Sequence, residues 1–139
     1  GTLRARIVAR TSPPETVPAG ANFKLPITLI NMGDTLWLTG QTVRSGLVMP
    51  GVRITDENEA LALENHGPLL PRAVAPGRSL TLDLLINAPA RPGTYTVKVD
   101  LVDQNVCWFE ERGSEPLIFA LHVSADRPSP PGHLPWGAR

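Results

Sequence analysis

At 139 residues the chain is long enough for one domain that buries roughly two-thirds of the surface its unfolded form exposes, and its thirteen basic residues balance thirteen acidic ones. Zero net charge excludes a general electrostatic pull toward nucleic acid or anionic lipid, and no apolar run approaches the roughly 20 residues of a membrane span. The lone cysteine, Cys107, excludes an internal disulfide and favours a reducing compartment, so a cytoplasmic location is expected unless a targeting segment precedes Gly1.

Fifteen prolines and twelve glycines fall between apolar runs, too often for long helices. The expectation is an all-β, immunoglobulin-like antiparallel β-sandwich of seven to nine strands. Leu3 to Arg10 alternates, with Leu3, Ala5 and Ile7 on one face and Arg4 and Arg6 on the other. Thr11 to Gly20 reads as a connector crossing between sheets. Phe23, Leu25, Ile27 and Leu29 form a core-facing series that ends at the Asn31 to Asp34 turn, and Pro26 within it predicts an edge strand or a bulge. Leu36 to Leu38 and Val43 to Ile54 predict two or three short strands broken near Pro50-Gly51, followed by an acidic turn over Thr55 to Glu59. Ala60 to Leu63 fits a strand or a helical turn equally well.

The strongest signal lies between Ala75 and Asp103. Leu80, Leu82, Leu84 and Ile86 recur at period two, a break at Ala88-Pro89 to Pro92-Gly93 intervenes, and Tyr95, Val97, Val99 and Leu101 recur at period two again. A turn near Gln104-Asn105 leads into Val106 to Glu110, and Leu117, Phe119, Leu121 and Val123 make the closing strand. The sandwich is therefore assigned to residues 1–124, and the proline-rich 125–139 to a tail or linker. Leu82, Leu84, Val97, Val99, Phe119 and Leu121 are the expected core of the three best strands.

No residue pattern spells catalysis. Cys107 has no motif linking it to His66, His122 or His133, so a packed thiol is the simpler reading. Asp56, Glu57 and Glu59 lack the glycine and spaced oxygens of a calcium loop and read as a solvated turn. Arg4, Arg6 and Arg10 suit phosphate or carboxylate groups, and they serve equally to keep a strand edge from aggregating. Pro128 to Pro131 is better read as linker than as a proline-motif ligand. Trp108 and Phe109 are adjacent on a strand and must point to opposite faces, so they cannot share one core. Trp37 is expected inside, Trp108 at a sheet edge, and Tyr95 in a tyrosine corner.

Asn31-Met32-Gly33 with Trp37 four residues on, the Ala75-Pro76-Gly77 turn, Ala88-Pro89 with Pro92-Gly93-Thr94-Tyr95, and Asp100-Leu101-Val102 ahead of Trp108-Phe109 occur in an order that carries a resemblance. Over Val17 to Val123 the chain resembles the bacterial immunoglobulin-like accessory modules attached to glycosyltransferases, methyltransferases and other polysaccharide-related proteins. It is also distantly similar to the four-tryptophan domain of the next-to-BRCA1 autophagy receptor. This chain has three tryptophans, one of them Trp136 in the tail, so that receptor's aromatic peptide surface is not transferred.

The resemblance implies a non-catalytic accessory domain of a larger bacterial protein, docking a neighbouring domain or partner protein. The alternative is a carbohydrate-binding module that presents a glycan to an attached transferase. Trp108 or Trp37 would then be the stacking platform, with Arg53, Asp56 and Glu57 as hydroxyl partners. No cofactor, metal, nucleic acid or membrane span is called for by any motif.

Overall fold

The computed structural model describes residues 2–40, 47–104 and 106–126. The expected strand before Leu47, the turn residue Asn105 and the tail from Arg127 onward lie outside these residues. Nine strands occur among the described residues: β1 (Ala5–Ala9), β2 (Thr16–Pro18), β3 (Asn22–Asn31), β4 (Val48–Thr55), β5 (Leu61–His66), β6 (Ser79–Asn87), β7 (Gly93–Asp103), β8 (Cys107–Trp108) and β9 (Leu117–Ser124). They form one sheet in the order β1-β3-β6 and a second in the order β2-β9-β7-β4-β5, with β8 paired to the end of β7. The fold is an immunoglobulin-like β-sandwich. Pairing is antiparallel except between β2 and β9, which run parallel. No described helix is long and apolar enough to cross a membrane.

Alternation decides what each strand buries. Leu25, Ile27 and Leu29 of β3 and Leu80, Leu84 and Ile86 of β6 face Val52, Ile54, Val97, Val99, Leu101 and Leu121 of the larger sheet. Ala5 and Ile7 of β1, and Leu3 just before it, join them while Arg4 and Arg6 stay exposed. Leu82 and Phe119, expected in the core, are only half-buried. Leu82 lies on β6, the outer strand of its sheet, and β2 covers β9 only from His122 to Ser124, so Phe119 also sits at an open margin.

Pro26 and Pro50 escape their expected consequences for the same reason. β3 is the middle strand of its sheet rather than an edge, and β4 runs unbroken through Pro50-Gly51. The Pro26 carbonyl accepts the Arg10 N–H (2.8 Å), one residue past the end of β1, and the Pro50 carbonyl accepts the Gly67 N–H (2.8 Å), one residue past the end of β5. An N–H at either position would point the same way as the carbonyl, so each proline removes only the last rung of a ladder.

The turn motifs are structural. Asn31 is fully buried: its Nδ2 donates to the carbonyls of Thr35 (2.8 Å) and Val74 (2.9 Å), and its Oδ1 accepts the Gly33 N–H (3.1 Å). That amide holds the β3 turn against the segment carrying Val74, which also pairs with Trp37 through two backbone hydrogen bonds of 3.0 and 3.1 Å. Gly77, at φ +79°, follows Pro76 in a turn closed by Arg78 N–H to Ala75 carbonyl (3.0 Å). Tyr95 packs its ring at the head of β7 and donates its hydroxyl to the Arg91 carbonyl (2.5 Å), as a tyrosine corner requires.

Candidate functional site on the outer face of the larger sheet

The residues of β4 and β7 that do not face the core make one surface. Register sets Met49 opposite Val102, Gly51 opposite Asp100, Arg53 opposite Lys98 and Thr55 opposite Thr96, while β5 adds Glu64 beside Arg53 and His66 beside Gly51. After β7 the chain doubles back through β8, where Trp108 pairs with Val102, and enters a 3-10 turn over Phe109–Arg112. Gly113, at φ +88°, closes that turn in the left-handed region that glycine tolerates.

Trp108, the last residue of β8, and Phe109, the first of the 3-10 turn, part company there. Phe109 goes inward, fully buried, and meets Trp37 edge-to-face at 5.8 Å. Trp108 goes outward and reaches across β7 to β4, over Gly51. A Cβ at Gly51 would stand 2.5 and 2.6 Å from Cζ3 and Cη2 of the indole and 2.6 Å from Cγ2 of Val102. Only glycine admits the ring. The Arg53 guanidinium lies 3.9 Å from the indole centroid, a cation–π contact, and the His66 ring meets it edge-on at 5.2 Å.

Glu110 locks this arrangement. Its carboxylate accepts Arg53 Nη2 at 3.3 Å and Lys98 Nζ at 2.9 Å, and its backbone N–H donates to Oδ2 of Asp100 at 2.8 Å. Asp100 is almost wholly buried beneath the turn. Burial pushes its carboxyl above the usual carboxylate range, against the pull of the Glu110 N–H. Beside the ion pairs runs a groove of about 670 Å³ lined by Arg53, Thr55, Leu61, Glu64, Thr96 and Lys98, with the β4–β5 turn closing one end. Its size falls within the range of small-ligand sites.

Of the residues singled out from sequence, Trp108 and Arg53 meet directly, and Asp56 and Glu57 reach the end of the groove. Asp56 Oδ1 is committed to its own turn, accepting the N–H groups of Asn58 (2.8 Å) and Ala60 (2.9 Å), with Glu59 in the left-handed region at φ +63°. Its role there is to shape the turn. Trp37 is fully buried and offers no ring face to a ligand, which removes it as a stacking platform. Cys107 is buried as well, and burial raises its thiol pKa. His66 pairs with Glu64 at 3.1 Å. Among the described residues no three His, Cys, Asp or Glu side chains converge as a metal-binding group.

Sequence reasoning missed Lys98, Glu110, Glu64 and His66 as members of this surface. Lys98 and Arg53 each sat at a solvent-facing step of an alternating strand, but only the register between β4 and β7 makes them neighbours.

The sequence matches no protein-family model and no curated relative. Among solved structures the chain is similar to the C-terminal domain of Wzt, at 11% identity and a TM-score of 0.55, over 88% of this chain and 72% of that one. It is also similar to part of a β-glucosidase from Listeria innocua in complex with glucose, at 13% identity and a TM-score of 0.51, over 87% of this chain. The chain spans 16% of that enzyme's length. Likeness at this level is likeness of fold.

Proposed function

We propose that the chain is a non-catalytic accessory domain and that the outer face of its larger sheet is the surface through which it docks a neighbouring domain or partner protein. The observation that carries this reading is the Trp108 platform. A glycine is spent to admit the ring, two cations converge on Glu110, and the buried Asp100 holds the turn that carries Glu110, all on the outer face of a sheet whose core is already complete. A half-buried aromatic flanked by an arginine is the composition that protein contacts favour. The fold likeness to part of a larger enzyme and to a C-terminal domain agrees with a module attached to other domains.

One observation favours a second reading, that the partner is a glycan: an aromatic ring stacked on Arg53, which itself lines a polar groove. One experiment separates the two. On a glycan array the docking reading expects no retained glycan, and it expects Trp108→Ala to lower the thermal midpoint because the ring packs on Gly51 and Val102. Glycan binding that Trp108→Ala abolishes, with the midpoint unchanged, would assign the surface to carbohydrate.

A further inference from the structure

A second surface runs along the free edge of β1. The Arg4 carbonyl accepts the Met32 N–H (2.9 Å) and the Arg10 N–H donates to the Pro26 carbonyl, so the even-numbered backbone groups of this stretch point to β3. The odd-numbered ones point away. Those of Ala5 are taken by Ser114, whose hydroxyl oxygen accepts the Ala5 N–H (2.9 Å) and whose hydroxyl donates to the Ala5 carbonyl (3.1 Å). The next pair, on Ile7, has no hydrogen-bond partner among the described residues. Opposite it, β9 is open too, since β2 reaches β9 only at His122 to Ser124. Between the two edges lies a cleft of about 700 Å³ bordered by Ile7 on one side and Pro116, Leu117 and Ile118 on the other.

We infer that this cleft accepts an added β-strand from a partner, an extended peptide segment in which apolar and acidic residues alternate. The backbone of such a segment would supply the missing partners for the Ile7 N–H and carbonyl, the usual basis of strand addition. Its inward-facing side chains would lie against Ile7, Pro116 and Leu117. The outward-facing ones would stand about 5 Å from the outward-facing residues of β1. Those include Arg4, Arg6 and Arg10, which are exposed and carry no ion pair among the described residues. Glu115, across the cleft, is a single carboxylate against that row. A second copy is a poor occupant, because two β1 edges paired together would set arginine against arginine. A phosphate backbone would satisfy the arginines but leave the Ile7 backbone groups and the apolar wall unused. This surface is separate from the Trp108 face, and the inference does not depend on what that face binds.

A fluorescein-labelled decapeptide alternating valine and glutamate tests it, with a valine–lysine decapeptide as control and fluorescence anisotropy as the readout. The glutamate peptide should bind and the lysine peptide should not. Binding should weaken by roughly tenfold or more in the Arg4→Glu/Arg6→Glu double variant, as attraction turns to repulsion at two cross-strand positions. Amide exchange at Ile7 in the unmodified chain should slow when the glutamate peptide is bound; that measurement decides the matter by itself if the double variant does not fold. Equal binding of the two peptides, protection along β5 instead of at Ile7, or displacement of the peptide by a short oligonucleotide would each overturn the inference.

Discussion

Asn31 ties two stretches of chain together with one amide, its own turn through Gly33 and Thr35 and the distant segment that carries Val74. Asn31→Ala would take the side-chain partner from the Thr35 carbonyl and the Gly33 N–H and one of two donors from the Val74 carbonyl, which keeps the Trp37 N–H, beneath a side chain that is itself fully buried. We expect a loss of at least about 2 kcal/mol in urea denaturation. Gly51 shows the opposite constraint. Gly51→Ala should cost about 1–3 kcal/mol by pushing the indole off the sheet, and a shift in tryptophan fluorescence should accompany it. Unchanged fluorescence would mean that Trp108 does not rest there.

Asp100 makes stability depend on pH. Burial raises its carboxyl pKa in the folded chain, so the folded state holds a proton at pH values where the unfolded chain has already released it. The contribution of this group is therefore fully present below the unfolded value and is lost as pH rises through the folded one. Asp100→Asn keeps an oxygen to accept the Glu110 N–H and removes the titration. The variant should gain stability relative to the parent as pH rises from about 4 toward neutral. A difference that stays constant over that range would contradict the assignment. Cys107→Ser, by contrast, should alter stability modestly and leave any binding intact.

At the scale of elements, period-two alternation names the face a residue takes but not how close it lies to the margin of a sheet. Leu82 and Leu84 read alike in the sequence, yet Leu84 is buried and Leu82 is half-exposed on an outer strand. Leu84→Ala should cost roughly 2–4 kcal/mol and Leu82→Ala clearly less, measured as unfolding free energies under one set of conditions. Equal losses would place β6 away from the margin. Pro26 and Pro50 were legible as obstacles to strand pairing, but whether a neighbouring strand has already ended depends on contacts far away in the chain. The split between Trp108 and Phe109 was legible from alternation, although the strand ends at Trp108 and Phe109 opens the 3-10 turn. The rest of the site was not, since Arg53, His66, Lys98 and Glu110 come from four segments brought together by register and by the return of the chain after β7.

Taken as a whole molecule, the two sheets are linked by β2, which follows β1 of the smaller sheet and pairs with β9 of the larger one over His122 to Ser124. The core is complete without Trp108, which makes the outer face available for contact. The most direct test compares hydroxyl-radical oxidation of Trp108 in the isolated chain with its oxidation in the longest natural polypeptide that carries it, using buried Trp37 as the internal reference. The account predicts that Trp108 is oxidised readily in the isolated chain and is shielded in the longer polypeptide or its complex, while Trp37 stays slow in both. Equal oxidation of Trp108 in the two settings would contradict a docking role for this face.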